Sequence, residues 1–271
     1  MPSDQSPIVS AKAIQGCFVT GTDTGVGKTL VIAALAHYLR QQGLDVGVMK
    51  PIETGCEPGG SALSDGADGA RLQVGIGNHD PSHLVTPYRF PDPLAPLAAA
   101  ERAGMTIQPD RIVTAFKELA ARHRCLLVEG VGGVMVPIAE GFDVRDLIAR
   151  LGLPVLIVGR AALGGVNHAL LTVEALQQRG IPVLAILLNR PAGARASTHG
   201  RLQEESTAAL LRKRHDIPLL GPLRHEPLLE QDWTQGVTRI AADPVIRELA
   251  GLVTAAGRYS SGPRSLRQGP R

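Results

Sequence analysis

The stretch FVTGTDTGVGKT, residues 18–29, constrains the fold of this 271-residue chain more than any other. A short apolar run precedes its glycines, and helical apolar spacing follows them in KTLVIAALAHYLRQQG. Such a turn exposes backbone N–H groups at the positive end of a helix dipole, which favours an anion. The common phosphate-binding loop is G-x-x-x-x-G-K-[ST], but the position five before Gly27 is Thr22, and the nearest glycine is Gly21. The loop therefore predicts a phosphate site with an unusual spacing.

Apolar runs and helical segments alternate along the rest of the chain. VGVM, CLLVE, PVLIVG and PVLAILLN are typical of buried strands, and the segments between them have helical spacing, for example near residues 109–122. This alternation predicts an α/β fold with a single doubly wound, mostly parallel sheet and helices on both faces. We expect a mobile N-terminal segment over residues 1–13, one domain over 14–256 and a disordered basic tail over 257–271.

The distribution of charge argues against a nucleic-acid partner. Of the net charge of +3, four arginines in residues 257–271 contribute +4, so the remainder of the chain carries −1. No stretch of 18 apolar residues and no signal-peptide core occur, so we expect no membrane association. The three cysteines are odd in number and widely spaced, which favours a reducing, cytoplasmic location.

Candidate phosphate and metal ligands fall where strands are predicted to end, which is where ligands bind in doubly wound sheets. Lys28 can reach terminal phosphates, and the hydroxyl of Thr29 can ligate Mg²⁺. Mg²⁺ usually takes one or two carboxylates besides phosphate oxygens and water. Glu129 ends CLLVE and precedes GVGG, which makes it a candidate ligand. Asp68 is either a second ligand or only the N-cap of a helix.

Three further polar features lie at predicted strand ends, and each leaves two interpretations open. Lys50 follows VGVM and is either a second cation in the crevice or a surface lysine. The turn LGGVNH is interpreted as a seat for a second anion on its free N–H groups or as a helix start capped by Asn167, and the two interpretations are compatible. Asn189 ends LAILLN and either bonds a purine edge or finishes a turn.

Taken together, these motifs resemble the dethiobiotin synthetase family, which is of the P-loop NTPase type. The resemblance covers most of residues 16–225 and rests on VTGTDTGVGKT, KPIETG, VTPYRF with PLAP, LVEGVGG, LGGVNHALLT and LLN. The family's loop looks like G-T-D-T-x-V-G-K-T, with the same displaced first glycine. The chain departs from the family pattern at Val131, where Ala is frequent, at Leu97, where His is frequent, and in PLRHEP after Gly221.

The resemblance implies an ATP- and Mg²⁺-dependent ligase of biotin biosynthesis. Such an enzyme closes the ureido ring of dethiobiotin from 7,8-diaminononanoate, CO₂ or bicarbonate, and ATP. The route runs through a carbamate and a carbamic-phosphoric anhydride and releases ADP and phosphate. The resemblance also implies a homodimer in which the seat of the substrate carboxylate is completed across the interface.

The same resemblance implies roles for individual residues. The catalytic residues are Lys50, Lys28 and Thr24, with Thr24 and Lys50 at the carbamate and Lys28 at the phosphate. The nucleotide contacts are Thr24, Gly25, Val26, Gly27, Lys28, Thr29, Glu129 and Asn189. The Mg²⁺ ligands are Thr29, Asp68 and Glu129. The contacts to the diamine substrate are Thr54, Gly164, Gly165, Val166 and Asn167.

Two other classes of protein share a similar ATP-binding domain. Amidating synthetases of corrinoid biosynthesis usually carry a glutamine-hydrolysing domain, and we expect too few residues after the last predicted helix to form one. Partitioning-type ATPases typically have K-G-G-x-G-K-[ST], whereas no lysine lies between Gly16 and Gly27. They also bind membranes through amphipathic terminal helices, and the sequence has no evident one. Only the basic tail favours the partitioning class.

Overall fold

The computed structural model describes residues 14–56, 67–190 and 198–256. The strands are β1 (Gln15–Gly21), β2 (Val46–Met49), β3 (Ile52–Thr54), β4 (Tyr88–Phe90), β5 (Cys125–Glu129), β6 (Pro137–Ala139), β7 (Phe142–Asp143), β8 (Val155–Arg160), β9 (Val183–Asn189) and β10 (Leu219–Leu223). The helices are α1 (Lys28–Gln41), α2 (Asp68–Ile76), α3 (Ser82–Val85), α4 (Pro96–Arg102), α5 (Pro109–Arg122), α6 (Val144–Leu151), α7 (Gly165–Gln177), α8 (Thr198–Arg214), α9 (Trp233–Ala241) and α10 (Pro244–Ala256). A 3-10 turn, Pro227–Glu230, precedes α9.

Six strands form one parallel sheet in the order β10-β9-β8-β1-β5-β2. Alternate side chains of β1 enter two different cores, because successive residues of a strand point to opposite faces. Phe18 packs with α5, α6 and α7, whereas Cys17 and Val19 pack with α1, α2, α9 and α10. The predicted doubly wound α/β fold with helices on both faces is confirmed, and every paired strand of its main sheet is parallel.

The longest helices owe their positions to buried aliphatic side chains. Ile32 and Leu35 of α1 have no exposed surface and pack beneath the sheet. Burying each such side chain stabilises the fold by about 1.5–3 kcal/mol.

Local signals also set helix ends. Asp143 opens α6 by accepting the N–H groups of Arg145 and Asp146, and the Asp146 carboxylate accepts the N–H of Asp143, which makes a capping box.

Two small sheets extend the fold beyond the sequence prediction. β3 pairs with β4 in parallel, and β6 pairs with β7 as an antiparallel hairpin. The β3–β4 sheet follows directly from β2, and the N–H of Lys50 donates to the carbonyl of Val85 at 2.8 Å. This small sheet therefore builds a wall beside the carboxyl ends of β2 and β5.

Some expectations fall outside the described residues. These are the expected mobile segment 1–13 and the expected basic tail 257–271. Among the helices within the described ranges, none combines the length and the apolar character that crossing a bilayer requires.

Candidate functional site

The loop between β1 and α1 closes tightly on itself, which explains its displaced glycine. The Lys28 ammonium donates to the carbonyl of Asp23 at 3.2 Å. A Cβ atom on Gly21 would lie 2.6 Å from that same carbonyl oxygen and 3.0 Å from the Lys28 Nζ. Gly27 caps α1 with a positive φ of 97°, which favours glycine. The spacing is therefore a steric requirement of this loop and does not weaken the phosphate-site prediction.

Asn189 holds the base of the loop from the end of β9. Its Nδ2 donates to the carbonyl of Val26 at 2.9 Å, and its side chain is buried. A Cβ atom on Gly27 would lie 2.1 Å from that nitrogen, so the loop and the amide pack in direct contact. Asn189 therefore braces the phosphate loop, and its predicted contact with adenine stays a prediction.

Lys50 lies at the centre of a buried cluster of charged groups. Its Nζ donates to Glu129 Oε1 at 2.6 Å and to Asp68 Oδ2 at 3.1 Å. The hydroxyl of Thr29 donates to the same Glu129 Oε1 at 2.9 Å. Lys50 is only 4% exposed, so its interpretation as a surface lysine is wrong. The N-cap of α2 is Ala67, so the interpretation of Asp68 as an N-cap is wrong as well.

The electrostatics of the cluster favour the charged form of Lys50 and disfavour a second positive charge at Lys28. Burial alone would lower the pKa of Lys50, but the carboxylates of Glu129 and Asp68 outweigh it and raise that pKa, so Lys50 stays an ammonium. Burial, and next the charge of Lys50, lower the pKa of Lys28. An anion entering between the two lysines would relieve their mutual repulsion.

The oxygen atoms of the cluster fit a divalent cation. Glu129 is 1% exposed, and its Oε2 has no hydrogen-bond partner within the described part of the chain. A buried carboxylate oxygen without a partner is costly unless a ligand satisfies it. Mg²⁺ takes oxygen ligands, commonly one or two carboxylates together with phosphate oxygens and water. The hydroxyl of Thr29 and the carboxylates of Asp68 and Glu129 match that set.

A cavity of about 610 Å³ opens over this cluster and the phosphate loop. Most of the predicted site residues line it, namely Thr24, Gly25, Gly27, Lys28, Thr29, Lys50, Thr54, Asp68 and Glu129. Val26 is buried behind the loop and presents its carbonyl to Asn189. Val131 lies on the cavity wall, whereas Leu97 is not among the residues that line the cavity.

Several lining residues were not among the predicted site residues. They come from β3, from the segment before α4 and from the β5–β6 connection: Ile52, Glu53, Pro93, Leu94, Ala95, Pro96, Gly132 and Val136. The motifs KPIETG and PLAP contain six of them, so the signal was present in the sequence. No periodicity or charge pattern distinguished them from ordinary loop residues.

The turn at residues 164–167 lies in a different groove. This groove of about 640 Å³ runs between α7 and α8 and is lined by Gly164, Val166 and Asn167 with apolar walls. Gly164 caps α7 and no side-chain cap is made, so the interpretation of Asn167 as the cap is wrong. Leu163 and Leu202 on the walls are 87% and 64% exposed. The structure thus separates the predicted carboxylate seat from the cavity that holds Thr54.

Solved structures with a similar fold include a ParA family ATPase and a cell division protein complex. A ParA family ATPase from Chlorobium tepidum aligns over 92% of this chain and all of its own, with a TM-score of 0.51 and 17% identity. The MinC–MinD cell division complex of Aquifex aeolicus aligns over 93% of this chain and 99% of that one, with a TM-score of 0.52 and 14% identity. At these identities the likeness concerns the fold alone.

Sequence comparison identifies nearer relatives. Residues 15–232 match a family described as an AAA domain. The ATP-dependent dethiobiotin synthetase of Anaeromyxobacter dehalogenans is 49% identical over 177 residues, 65% of this chain and 77% of the relative. That of Thermodesulfovibrio yellowstonii is 39% identical over 224 residues, 80% of this chain and 91% of the relative. With its phosphate loop and its lysine–carboxylate cluster, the chain belongs to the family of ATP-dependent dethiobiotin synthetases.

Proposed function

We propose that this protein closes the ureido ring of dethiobiotin in biotin biosynthesis, using 7,8-diaminononanoate, CO₂, ATP and Mg²⁺. The observation that carries the proposal is the buried cluster of Lys50, Glu129 and Thr29, which shares one cavity with the phosphate loop. The reaction joins a carbamate to a phosphoryl group, and both are anions. A cavity with two buried lysines, Lys28 and Lys50, suits that combination.

The proposed reaction has three steps that balance in atoms and charge. One amine of the substrate attacks CO₂ and loses a proton, which gives a carbamate. A carbamate oxygen then attacks the γ-phosphorus of ATP, which forms a carbamic-phosphoric anhydride and releases ADP. The second amine attacks the carbonyl carbon of the anhydride, expels phosphate and loses a proton, so the ureido ring closes.

The residues of the cavity bind and orient the reactants in this scheme. Lys28 neutralises the transferring phosphoryl group, and Lys50 holds the carbamate together with Thr24 at the exposed tip of the loop. The neighbouring carboxylates raise the pKa of Lys50, so it serves as a positive charge that orients the carbamate. When bound, Mg²⁺ supplies neutralisation of the phosphate oxygens, and Thr29, Asp68 and Glu129 hold it. The site accelerates the reaction mainly by orienting the two anions side by side and by supplying preorganised positive charge.

We further propose that a second copy of the chain completes the site. In the sheet, β8 flanks β1 on one side and β5 flanks it on the other. The 164–167 turn after β8 and the Lys50–Glu129 cluster therefore lie on opposite sides of the phosphate loop. If a partner copy supplies the 164–167 turn, a substrate whose amines lie near Lys50 reaches a carboxylate seat without crossing the phosphate loop. The exposed leucines beside the turn, Leu163 and Leu202, provide an apolar face for such pairing.

Ring closure is tested with the purified protein, 7,8-diaminononanoate, ¹³C-bicarbonate, MgCl₂ and ATP. We expect ADP release that depends on the diamine, and dethiobiotin with one ¹³C at the ureido carbonyl in the mass spectrum. Reactions without the diamine and reactions of Lys50→Ala are the controls. Absence of diamine-dependent ADP release at saturating substrates would refute the proposed activity.

Pairing of two copies is tested by sedimentation velocity of Leu202→Asp. We expect the wild type to be a dimer and the variant a monomer with a raised KM for the diamine, because the partner's turn is lost. Met105→Asp is the matched control, since Met105 is 47% exposed, lies between α4 and α5, and does not line the groove between α7 and α8. A wild-type monomer with full activity would contradict completion of the site by a partner.

A further inference from the structure

The first turn of α2 is held in place by Glu53, a residue that belongs to a different element. Glu53 lies in the middle of β3 and is 6% exposed. Its Oε1 accepts the backbone N–H of Asp68 across fifteen residues of sequence, and the N–H of Gly69 also bonds to its carboxylate. Helix N-termini leave several N–H groups without partners, and a carboxylate there is stabilised by the helix dipole. Glu53 therefore caps α2 from outside the helix.

Within the described residues, α2 receives no side-chain cap from its own N-cap position. The N-cap position of α2 is Ala67, which has no side-chain oxygen to accept the exposed N–H groups. The first turn also packs tightly here, because a Cβ atom on Gly69 would lie 2.3 Å from the Thr86 hydroxyl and 3.6 Å from Glu53 Oε2. The start of α2 thus packs directly against both Glu53 and Thr86.

The strand that carries Glu53 is itself anchored to its neighbours. Glu53 lies opposite Arg89 in the β3–β4 register, and the N–H of Cys56 donates to the carbonyl of Phe90 at 3.0 Å. These contacts tie the strand that carries Glu53 to β4. The β3–β4 sheet therefore acts as the support for the carboxylate that caps α2.

We infer that Glu53 is a positioning residue, whose carboxylate sets Asp68 against Lys50 and toward the cation held with the phosphates. Asp68 is the first residue of α2, so its backbone N–H and its side chain leave the same Cα atom. The side chain is 36% exposed and reaches Lys50 at 3.1 Å. Glu53 fixes the backbone of Asp68 through the hydrogen bond from its N–H. Without it the first turn of α2 would shift and would move the partly exposed carboxylate of Asp68 with it. The inference rests on the proposed function in one respect, namely that Asp68 is a Mg²⁺ ligand.

The role of Glu53 is tested by the Mg²⁺ dependence of nucleotide binding, with no turnover involved. The probe is β,γ-imido-ATP, and its affinity is measured by calorimetry across a Mg²⁺ titration and in EDTA. For Glu53→Ala we expect the half-saturating Mg²⁺ concentration to rise about 10–100-fold, as is typical when a group that orients a metal ligand is removed. The affinity for the Mg²⁺-free analogue should stay unchanged. Glu53→Gln keeps one acceptor oxygen, so we expect a smaller rise, and it serves as the test variant if Glu53→Ala does not fold.

Asp143→Asn is the matched control for a purely structural effect. Asp143 is a half-buried carboxylate that also caps a helix through two backbone N–H groups, and neither it nor any residue of α6 lines the large cavity. We expect this variant to lose thermal stability with an unchanged Mg²⁺ requirement. An unchanged Mg²⁺ requirement in Glu53→Ala and Glu53→Gln, or an equal rise in Asp143→Asn, would overturn the inference.

Asp68→Asn separates this inference from the proposed function. If Asp68→Asn raises the Mg²⁺ requirement and the Glu53 variants do not, Asp68 is a ligand that needs no support from Glu53, and only the inference fails. If Asp68→Asn leaves the Mg²⁺ requirement unchanged, the proposed ligand set fails and the inference fails with it. A rise in all the Asp68 and Glu53 variants supports both.

Discussion

Replacing Lys50 with alanine should separate the catalytic role of its charge from its structural role. Lys50 is 4% exposed and Glu129 is 1% exposed, so their 2.6 Å contact is a buried ion pair. Removing one partner of such a pair leaves a buried charge without compensation, which destabilises a protein by about 3–5 kcal/mol. For a domain of this size, that corresponds to a fall in Tm of about 6–20 °C.

The loss of activity in Lys50→Ala should exceed what the loss of stability explains. A charge that stabilises the transition state is worth roughly 10²–10³-fold in kcat. We expect a loss of that size in diamine-dependent ADP release below the Tm of the variant, while the affinity for Mg²⁺·ATP survives. The measurements are steady-state kinetics, calorimetric nucleotide binding and thermal unfolding of the same preparations.

A double variant decides whether the two effects are separate. Lys50→Met with Glu129→Gln removes both charges and keeps similar side-chain volumes, so most of the lost Tm should return. Turnover should stay low even at saturating Mg²⁺, because the lysine charge is still absent and Glu129, a proposed Mg²⁺ ligand, is replaced as well. Recovery of turnover together with Tm would refute a catalytic role for the Lys50 charge. An unchanged Tm in Lys50→Ala would refute the buried ion pair as a source of stability.

Other predictions concern the metal, the loop and the core. Glu129→Gln should raise the Mg²⁺ requirement for ADP release, and an unchanged Mg²⁺ titration would remove Glu129 from the ligand set. Gly21→Ala should weaken nucleotide binding at least tenfold, because its Cβ would meet the carbonyl of Asp23 at 2.6 Å, and wild-type affinity would contradict the steric argument. Burial raises the pKa of the Cys125 thiol to about 12 and that of the Cys17 thiol further, so both should resist thiol reagents in the native state at pH 8 and react after unfolding. Since both thiols ionise more readily in the unfolded chain, the free energy of unfolding should fall as pH rises above about 8.5, and a flat profile from pH 8 to 10 would contradict their burial.

The sequence predicted those parts of the site that local patterns specify. The phosphate loop, Lys50, Glu129 and Asp68 were found because each follows or opens a segment with clear strand or helix periodicity. The three-residue strands β3 and β4 have no such periodicity, since three residues are too few to establish an alternation. Glu53 lies in one of them, and its hydrogen bond to Asp68 joins residues fifteen positions apart. Such a contact forms only in the folded chain, so no local sequence pattern predicts it.

Sharing of the Glu129 carboxylate links the phosphate loop to Lys50. Its Oε1 accepts both the Lys50 ammonium and the Thr29 hydroxyl, whereas its Oε2 is buried without a partner in the described chain. A cation bound at Oε2 would leave the bond between Lys50 and Oε1 intact. In the proposed site, therefore, the metal and the lysine do not compete for Glu129.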